Sequence, residues 1–302
     1  MRVAVVGHVE HLEFVRVARV PRVGEIAHAR ETWEEAAGGG GAAAVQLAKL
    51  AGACTLFTAL GDDARGKGVP ARLGAHGVRV EAAWRAEPQR RGIVFVDDDA
   101  RRTITVIGAR HQPAPADALP WDALASMDAV YFTAGDPEVL RRARAARVVV
   151  ATARVLPILE QAGVALDAVV RSAGDPGEPD PATAARLPAP RLSVATEGAR
   201  GGSYVERVTR PGGPGAPPAH APGVVVREGR WAAAPLPGPP VDDYGCGDSF
   251  AAGLTFALGA GLATDDALAF AARCGAAALT GRGPFGGQLE LEADDPLRAA
   301  LR

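Results

Sequence analysis

The chain has 302 residues and a formal net charge of -2, because 35 acidic residues nearly balance 33 lysines and arginines. That length allows one large α/β domain or two smaller ones, with a sizeable core. The balanced charge excludes a basic surface for nucleic acid or for an anionic membrane, so neither partner is expected. Three widely spaced cysteines without a C-x-x-C pair argue for a reducing compartment and against a disulfide or zinc framework.

Neither a leader sequence nor a membrane span is predicted. The apolar run at residues 1–7 is too short for a signal peptide. The longest uncharged stretch, residues 249–264, is too short and too often interrupted by glycine to cross a bilayer. We therefore expect a soluble protein of the cytoplasm.

Missing motifs exclude or disfavour three classes of nucleotide-binding protein. The two lysines of the chain, Lys49 and Lys67, do not stand in G-x-x-x-x-G-K-[ST], which excludes a P-loop NTPase. No V-A-I-K or H-R-D set occurs, which excludes a protein-kinase site. No G-x-G-x-x-G follows the first strand, which argues against a dinucleotide-binding domain.

The first third of the chain predicts one buried strand and two hairpins. Residues 2–6 are a short apolar run typical of a buried parallel strand. Alternating polar and apolar residues over 9–20 and 26–33, separated by a turn at 21–25, predict a half-exposed antiparallel element. A second hairpin is predicted at 91–96 and 102–107, joined by the acidic turn 97–99. Two such hairpins indicate a small sheet that projects from a larger domain.

The rest of the chain predicts a parallel sheet covered by helices. Four glycines at 38–41 lead into a helix over 42–50, followed by a strand at 54–60 and a helix at 66–76. Strands are then predicted at 129–133, 148–151, 168–171 and 192–195, with helices at 138–146 and 157–162 between them. Residues 208–223 read as an irregular surface loop. The pattern ends with two predicted helices, at 248–258 and at 264–278 with Thr264 as N-cap, and with a glycine-rich segment at 281–287.

The stretch Gly245-Cys-Gly-Asp248 carries the strongest chemical signal. Glycines let backbone N–H groups point at a ligand, and a helix N-terminus adds partial positive charge that suits phosphate. A carboxylate beside such an anion site is expected to take part in chemistry. The alternative is an ordinary glycine turn in which Asp248 serves only as a helix N-cap. The stretch alone leaves both interpretations open.

An ordered set of motifs over almost the whole chain resembles the ribokinase-like (phosphofructokinase-B) carbohydrate kinase family. The motifs, in chain order, are 21–25 as P-x-x-G-E, Gly39-Gly40 before a helix, Gly61-Asp62-Asp63 with Gly66, Thr196-x-Gly198-x-x-Gly201, and 242–250 as the D-T-x-G-A-G-D-x-F signature. The resemblance implies one α/β domain over 1–302, a Rossmann-like three-layer αβα sandwich with a small β-sheet lid formed by about 8–36 and 88–110.

The resemblance also implies an activity and its site. An ATP-dependent kinase is expected, which transfers the γ-phosphoryl group to a hydroxymethyl group of a sugar, sugar derivative or nucleoside. The implied site residues are Asp248 as general base, the N–H groups of Gly245, Cys246 and Gly247 as anion hole, Thr196, Gly198, Gly201 and Gly283 around the nucleotide, and Gly39 and Gly40 around the substrate. Arg102 in the predicted lid is a further candidate, as a contact for an anion or a hydroxyl of the substrate; the alternative is a surface arginine on a hairpin. Mg²⁺ accompanies ATP in such enzymes, and Asp242 with residues 281–287 stands where relatives hold a monovalent cation such as K⁺. Relatives often form homodimers through their lids, and strand 14–20 is the edge expected to pair here.

Three departures from the family pattern concern the acceptor and the metal. Ala42, Ala43 and Ala44 stand where relatives have an asparagine that binds substrate hydroxyls. Ser172-Ala-Gly-Asp175 is the nearest match to the N-x-x-E motif of the Mg²⁺ site, which makes Asp175 the metal-side candidate. Glu10 or Glu13 is the candidate replacement for the first-strand aspartate that binds the substrate in relatives; the alternative is that each is a solvated residue of the lid. Cys246, in place of the usual alanine, is expected to pack rather than react.

Two alternatives remain open. The missing asparagines motivate the first, a catalytically silent ligand-binding or regulatory relative on the same scaffold. The second is a hydroxymethylpyrimidine or pyridoxal kinase, which shares the late motif but generally lacks the hairpin lid. The acceptor itself is not predicted.

Overall fold

The structure is a computed structural model that describes residues 1–209, 224–291 and Leu297, and it contains two sheets and six α-helices in that part of the chain. The strands of the larger sheet are β1 (Val3–Val6), β4 (Cys54–Gly61), β5 (Val78–Arg85), β8 (Ala129–Phe132), β9 (Val148–Thr152), β10 (Ala168–Ser172), β11 (Leu192–Thr196), β12 (Gly202–Thr209) and β13 (Val224–Trp231). The strands of the smaller sheet are β2 (Glu10–Arg16), β3 (Glu31–Ala37), β6 (Arg91–Val96) and β7 (Arg102–Ile107). The helices are α1 (Gly38–Ala51), α2 (Ala64–Gly74), α3 (Pro137–Ala143), α4 (Leu156–Ala162), α5 (Cys246–Gly259) and α6 (Thr264–Ala278).

The larger sheet is mainly parallel, as the sequence predicts. Its order is β13-β12-β11-β10-β9-β8-β1-β4-β5, and every pairing from β11 to β5 is parallel. The central strands β1 and β8 are buried along their whole length, which is why they read as continuous apolar runs rather than alternating ones. Because the parallel strands run the same way, their carboxyl ends share one edge of the sheet.

Two hydrophobic clusters, one on each face of this sheet, make the αβα sandwich. Helices α1, α5 and α6 contribute to the first cluster, for example through Leu47, Leu254 and Leu268. Helices α3 and α4 contribute to the second through Leu140 and Leu159. The predicted fold class, an α/β sandwich with a separate small sheet, is therefore confirmed.

The smaller sheet, which we call the lid, has the order β3-β2-β6-β7. The second hairpin was predicted at the residues that form β6 and β7, and they pair antiparallel. In β2, Leu12 and Phe14 are fully buried while Glu13 between them is exposed, so alternation separates a core-facing side from a solvent-facing side.

Three predictions about these elements are wrong or incomplete. Strand 14–20 is not an edge: β2 lies between β3 and β6, and the edges of the lid are β3 and β7. Thr264 does not cap α6; Ala263 occupies the N-cap, and the Thr264 hydroxyl donates instead to the Glu206 carboxylate, which satisfies it in a buried site. Of the predicted loop 208–223, residues 208 and 209 belong to β12, and residues 210–223 lie outside the described residues.

Candidate active site

The carboxyl edge of the parallel strands gathers a set of polar residues. Each follows or ends a strand of the larger sheet, so strand order rather than sequence distance sets their spacing. They are His8 after β1, Thr133 after β8, Arg154 after β9, Asp175 and Glu178 after β10, and Thr196 at the end of β11. Ligands of open α/β sheets bind at such an edge.

The N-terminus of α5 is open to an anion. Gly245 is its N-cap residue, with a left-handed φ of 81°, and no side chain caps the helix. A Cβ at Gly247 would meet nothing within 4 Å. The first-turn N–H groups therefore have neither a capping side chain nor a covering methyl group, and the helix dipole favours negative charge there. Asp248 lies inside the first turn and is not the N-cap, so the capped-turn interpretation is wrong.

Asp248 is a partly buried acid in close contact with the start of α1. A Cβ at Gly39 would lie 3.1 Å from Asp248 Oδ1 and 3.0 Å from Thr133 Oγ1. Only glycine leaves room for both side chains there. Burial raises the pKa of Asp248 to about 6, and the nearby Glu178 and Glu10 carboxylates act in the same direction, while Arg102 and Arg154 oppose it. The carboxyl group is thus poised to exchange a proton near neutral pH.

Gly40 fixes the packing of α1 on the first strand. Its N–H donates to the His8 carbonyl oxygen at 3.1 Å. A Cβ at Gly40 would lie 2.5 Å from that oxygen, well inside contact distance. After Gly41, the residues Ala42, Ala43 and Ala44 are fully buried and offer no polar side chain.

Glu10 and Glu13 lie on opposite faces of the lid. Glu10 is buried and its Oε1 lies 2.8 Å from Arg90 Nε and 3.8 Å from His8 Nε2. Its Cγ would be 3.2 Å from a Cβ at Gly38, so it borders the glycine-rich start of α1. Glu13 is exposed and is not brought to these residues. Burial raises the pKa of Glu10, and the Arg90 and Arg110 guanidinium groups oppose the rise.

Arg102 joins the lid to the loop before α5. Its guanidinium group donates to the Asp243 carbonyl oxygen, lies 2.9 Å from Asp243 Oδ1, and stands 5.6 Å from the centre of the Tyr244 ring. The Tyr244 hydroxyl in turn accepts the Gly38 N–H at 3.2 Å. Asp243, which stands where the family signature has threonine, therefore contacts the lid arginine, and the neighbouring Tyr244 contacts both that arginine and the start of α1.

The Thr196–Gly201 segment forms a turn at the end of β11. The Thr196 hydroxyl donates to the Arg171 carbonyl oxygen at 3.3 Å. Gly198, with a φ of 60°, has open space where a Cβ would stand. Gly201 is different, because a Cβ there would lie 2.1 Å from the Trp231 carbonyl oxygen. Gly198 borders free space, whereas Gly201 allows the chain to pack on β13.

Asp242 links the loop before α5 to the glycine-rich segment 281–287 through hydrogen bonds. It is fully buried, its Oδ1 accepts the Tyr244 N–H at 2.9 Å, and its Oδ2 accepts the Gly283 N–H at 3.1 Å. Gly283 has a left-handed φ of 63° and also borders the Trp33 indole. Burial raises the pKa of Asp242, although both hydrogen bonds favour the charged form.

Asp175 shares an arginine with a carboxylate that the sequence did not single out. Arg154 Nη2 lies 2.6 Å from Asp175 Oδ2 and 2.6 Å from Glu178 Oε1. The second Glu178 oxygen accepts the Ser172 N–H, so the loop after β10 is held by its own acids. Among residues 1–209, 224–291 and 297, no group of three or more His, Cys, Asp or Glu side chains could hold a metal ion.

Five polar residues of this region were missed by sequence reasoning: His8, Arg90, Arg110, Arg154 and Glu178. None stands in a recognisable motif, and the arginines resemble the many exposed arginines of the chain. Only His8 gave a signal, because it directly follows the first buried strand.

Comparison with known proteins decides the family. The chain matches the family described as pfkB family carbohydrate kinase over residues 1–171 and 171–288. The chain belongs to this family. No curated protein matches it.

Solved structures of pfkB-type kinases share the fold. Ribokinase from Thermotoga maritima is 18% identical, with a TM-score of 0.72, over 100% of this chain and 99% of that one. Arabidopsis thaliana ribokinase, solved with ribose and ATP, is 19% identical, with a TM-score of 0.71 and coverage of 99% and 97%. Adenosine kinase from Sinorhizobium meliloti is 18% identical, with a TM-score of 0.69 and coverage of 99% and 98%. Kinases of this family use ATP and Mg²⁺ to phosphorylate sugars or nucleosides. In the described part of this chain, no helix has the length and apolar character needed to span a membrane.

Proposed function

We propose that this pfkB family member is an ATP-dependent kinase that transfers the γ-phosphoryl group to a hydroxymethyl group of a sugar, a sugar derivative or a nucleoside. One observation carries the proposal. The Asp248 carboxyl group, with its pKa raised to about 6, lies beside Gly39 in the first turn of a helix that no side chain caps. A base that titrates near the working pH, next to an anion site, suits the deprotonation of a hydroxyl as it attacks phosphorus.

Each residue of the segment 245–248 then has a proposed role. Asp248 accepts the proton of the attacking hydroxyl. The N–H groups of Gly245, Cys246 and Gly247 hold the negative charge of the transferring phosphoryl group, and the α5 dipole adds to them. Burial raises the pKa of the Cys246 thiol to about 12, so it stays protonated and serves as packing.

The nucleotide would lie along the edge that carries Thr196 and Gly198, with Gly201 and Gly283 shaping the adjoining turns. When bound, Mg²⁺ neutralises charge on the phosphates. Glu178 and Asp175 would hold its water shell, each giving up part of its pairing with Arg154. Few protein ligands are needed for this, since Mg²⁺ takes many of its ligands from water and phosphate.

A monovalent cation such as K⁺ is proposed near Asp242 and residues 281–287. The Asp242 carboxyl group is fully buried, and burial raises its pKa. Its two backbone N–H partners leave lone pairs on both oxygens. A bound cation would offset the burial of this charge.

On the acceptor side, we propose Glu10 and not Glu13 as the hydroxyl ligand, because Glu10 is buried beside His8 and the start of α1. Gly39 and Gly40 let the backbone approach the acceptor. Arg102 is proposed as a positioning residue, since its present partners belong to the loop that precedes Asp248.

A homodimer formed through the lid is also proposed, with β7 as the pairing edge. All six residues of β7 are exposed, and Ile104 and Val106 remain 39% and 46% exposed although they are apolar. An exposed strand edge with apolar side chains favours pairing with a second copy. A monomeric mass at micromolar concentration would contradict this.

The test of the activity is a screen of ATP consumption against ribose, fructose, fructose phosphates, 2-keto-3-deoxygluconate, adenosine and other nucleosides. Asp248→Asn serves as the inactive control. Phosphorylation of any acceptor by the wild type, and not by the variant, supports the proposal. No ATP consumption with any of them would favour the alternative of a catalytically silent relative.

A further inference from the structure

Three arginines act on the buried His8, and one of them has no acidic partner among the described residues. We call Arg90, Arg110 and Arg154 the arginine cluster. Arg90 Nε lies 2.8 Å from Glu10 Oε1, and Arg154 pairs with Asp175 and Glu178. Arg110 follows the lid strand β7 and is half-buried. Its Nε is fully buried without a hydrogen-bond partner, and no carboxylate oxygen of the described residues lies within 4.0 Å of its guanidinium group.

The cluster is crowded with positive charge. Burial lowers the pKa of Arg110, and the neighbouring Arg90 and Arg154 guanidinium groups lower it further, against a single opposing carboxylate, Glu10. Burial, followed by Arg110, Arg90 and Arg154, lowers the pKa of His8 to about 3, which leaves a neutral imidazole at pH 7. Buried charge of this kind is unfavourable unless an opposite charge meets it.

Of the three arginines, Arg110 acts on the acceptor side rather than on Asp248. The His8 ring stands 3.5 Å from the position of a Cβ at Gly39, and Asp248 Oδ1 lies 3.1 Å from the same position. The charges that act most on Asp248 are Arg102, Glu178, Arg154 and Glu10. Arg110 acts instead on His8 and Glu10. An unpaired guanidinium group therefore acts on Glu10 and His8.

The charge of Arg110 decides which kind of acceptor suits this place. A neutral sugar would leave the Arg110 charge uncompensated. An anionic group would satisfy it, since the planar fork of arginine matches a carboxylate or a phosphate with two parallel hydrogen bonds.

We propose that the acceptor is an anionic sugar derivative, bearing a carboxylate or a phosphate that Arg110 binds, with its hydroxyl turned toward Asp248. Arg90 supports this contact while it remains paired with Glu10. The inference rests on the proposed kinase function and narrows it from sugars and nucleosides in general to sugar acids or sugar phosphates.

The test uses matched sets of a neutral sugar, its sugar acid and its sugar phosphate, built on the ribose, fructose and glucose skeletons. Binding is measured by titration calorimetry and phosphoryl transfer by steady-state kinetics. We expect the wild type to prefer an anionic member of at least one set. The sugar acid and sugar phosphate arms decide between carboxylate and phosphate.

Arg110→Gln should lower kcat/KM for the preferred anionic acceptor by roughly 10- to 100-fold, the effect of losing a charged hydrogen-bonded contact. The KM for ATP should be unchanged. Arg110→Lys keeps the positive charge but not the planar guanidinium group, so its loss of kcat/KM should be smaller. Arg79→Gln is the matched control, because the Arg79 side chain is 77% exposed on β5, and it should change nothing. Circular dichroism confirms that the variants are folded.

The outcomes separate this inference from the function on which it rests. A wild type that phosphorylates only neutral members keeps the kinase function and overturns the inference. The inference is also overturned if Arg110→Gln leaves the preference for anionic acceptors intact, or if the variant raises the KM for ATP rather than lowering kcat/KM for the anionic acceptor. A wild type that binds an anionic member through Arg110 but transfers no phosphoryl group keeps the inference and contradicts the kinase function.

Discussion

Replacing Asp248 with asparagine should remove activity and, at the same time, make the protein more stable at neutral pH. The variant keeps the size of the side chain but has no base, so turnover should fall by about a hundredfold or more. The stability effect follows from burial, which raises the pKa of Asp248 from 3.8 to about 6 in the folded protein. A pKa difference of one between the folded and unfolded states corresponds to about 1.4 kcal/mol of unfolding free energy. The rise in the pKa of Asp248 therefore lowers the stability of the wild type at neutral pH by at most roughly 3 kcal/mol.

The sign of this effect depends on pH. The folded-state pKa lies above the unfolded one, so the protonated acid favours folding below about pH 4, and this contribution is lost as pH rises through about 6. The asparagine variant does not titrate. Its free energy of unfolding, relative to wild type, should therefore increase between about pH 4 and about pH 8.

Urea unfolding of both proteins at several pH values in that range measures the difference, and coupled ATP consumption measures turnover. Asp266→Asn is the matched control, because Asp266 is an exposed acid in the first turn of another helix, α6. Its position in a first turn is comparable but its side chain is not buried, so Asp266→Asn should not reproduce the pH-dependent gain expected of Asp248→Asn. A pH-independent difference for Asp248→Asn would refute the burial argument, and near-wild-type turnover would refute the role of base.

Four further predictions concern the pH profile and the residues around the base. Wild-type kcat/KM should fall below about pH 6, as Asp248 becomes protonated; a flat profile down to about pH 5 would contradict the assignment. Glu10→Gln should raise the KM for the acceptor by roughly 10-fold, from the loss of a charged hydrogen bond, whereas the exposed Glu13→Gln should not; equal effects would remove Glu10 from the site. Cys246→Ala should leave turnover within about threefold of wild type, since the high pKa of the thiol indicates packing alone, and a larger loss would give the thiol a role. Gly40→Ala should lower the unfolding free energy by about 1–3 kcal/mol, because its Cβ would meet the His8 carbonyl oxygen; unchanged melting would mean that α1 shifts freely.

The parts of the fold that follow local patterns were predictable. Continuous apolar runs identified β1 and β8 as buried parallel strands, and alternation around an acidic turn identified the hairpin of β6 and β7. The edge strand β5 was missed, because Val78–Arg85 mixes charged, small and aromatic residues that are mostly half-exposed. Thr264 was misassigned because a cap and a buried side-chain hydrogen bond look alike in sequence.

The site was predictable only where a motif carried it. Glycines around Asp248 and at residues 39 and 40 have chemical reasons to be glycine, and the structure brings Gly39 and Asp248 together. The arginine cluster had no such signal. Arg90 and Arg110 flank the hairpin of the lid, and Arg154 follows β9. Their charges come together only through the strand order and the position of the lid on the larger sheet. Long-range electrostatics of this kind leaves no local trace in sequence.

The three fully buried alanines at residues 42–44 have a consequence for how this chain could change its acceptor. Their side chains do not reach the surface, so a polar side chain placed there would enter the core rather than meet a ligand. A new hydroxyl-binding group would therefore have to come from the lid or from the strand ends, whose polar side chains can change without repacking the contact between α1 and the larger sheet.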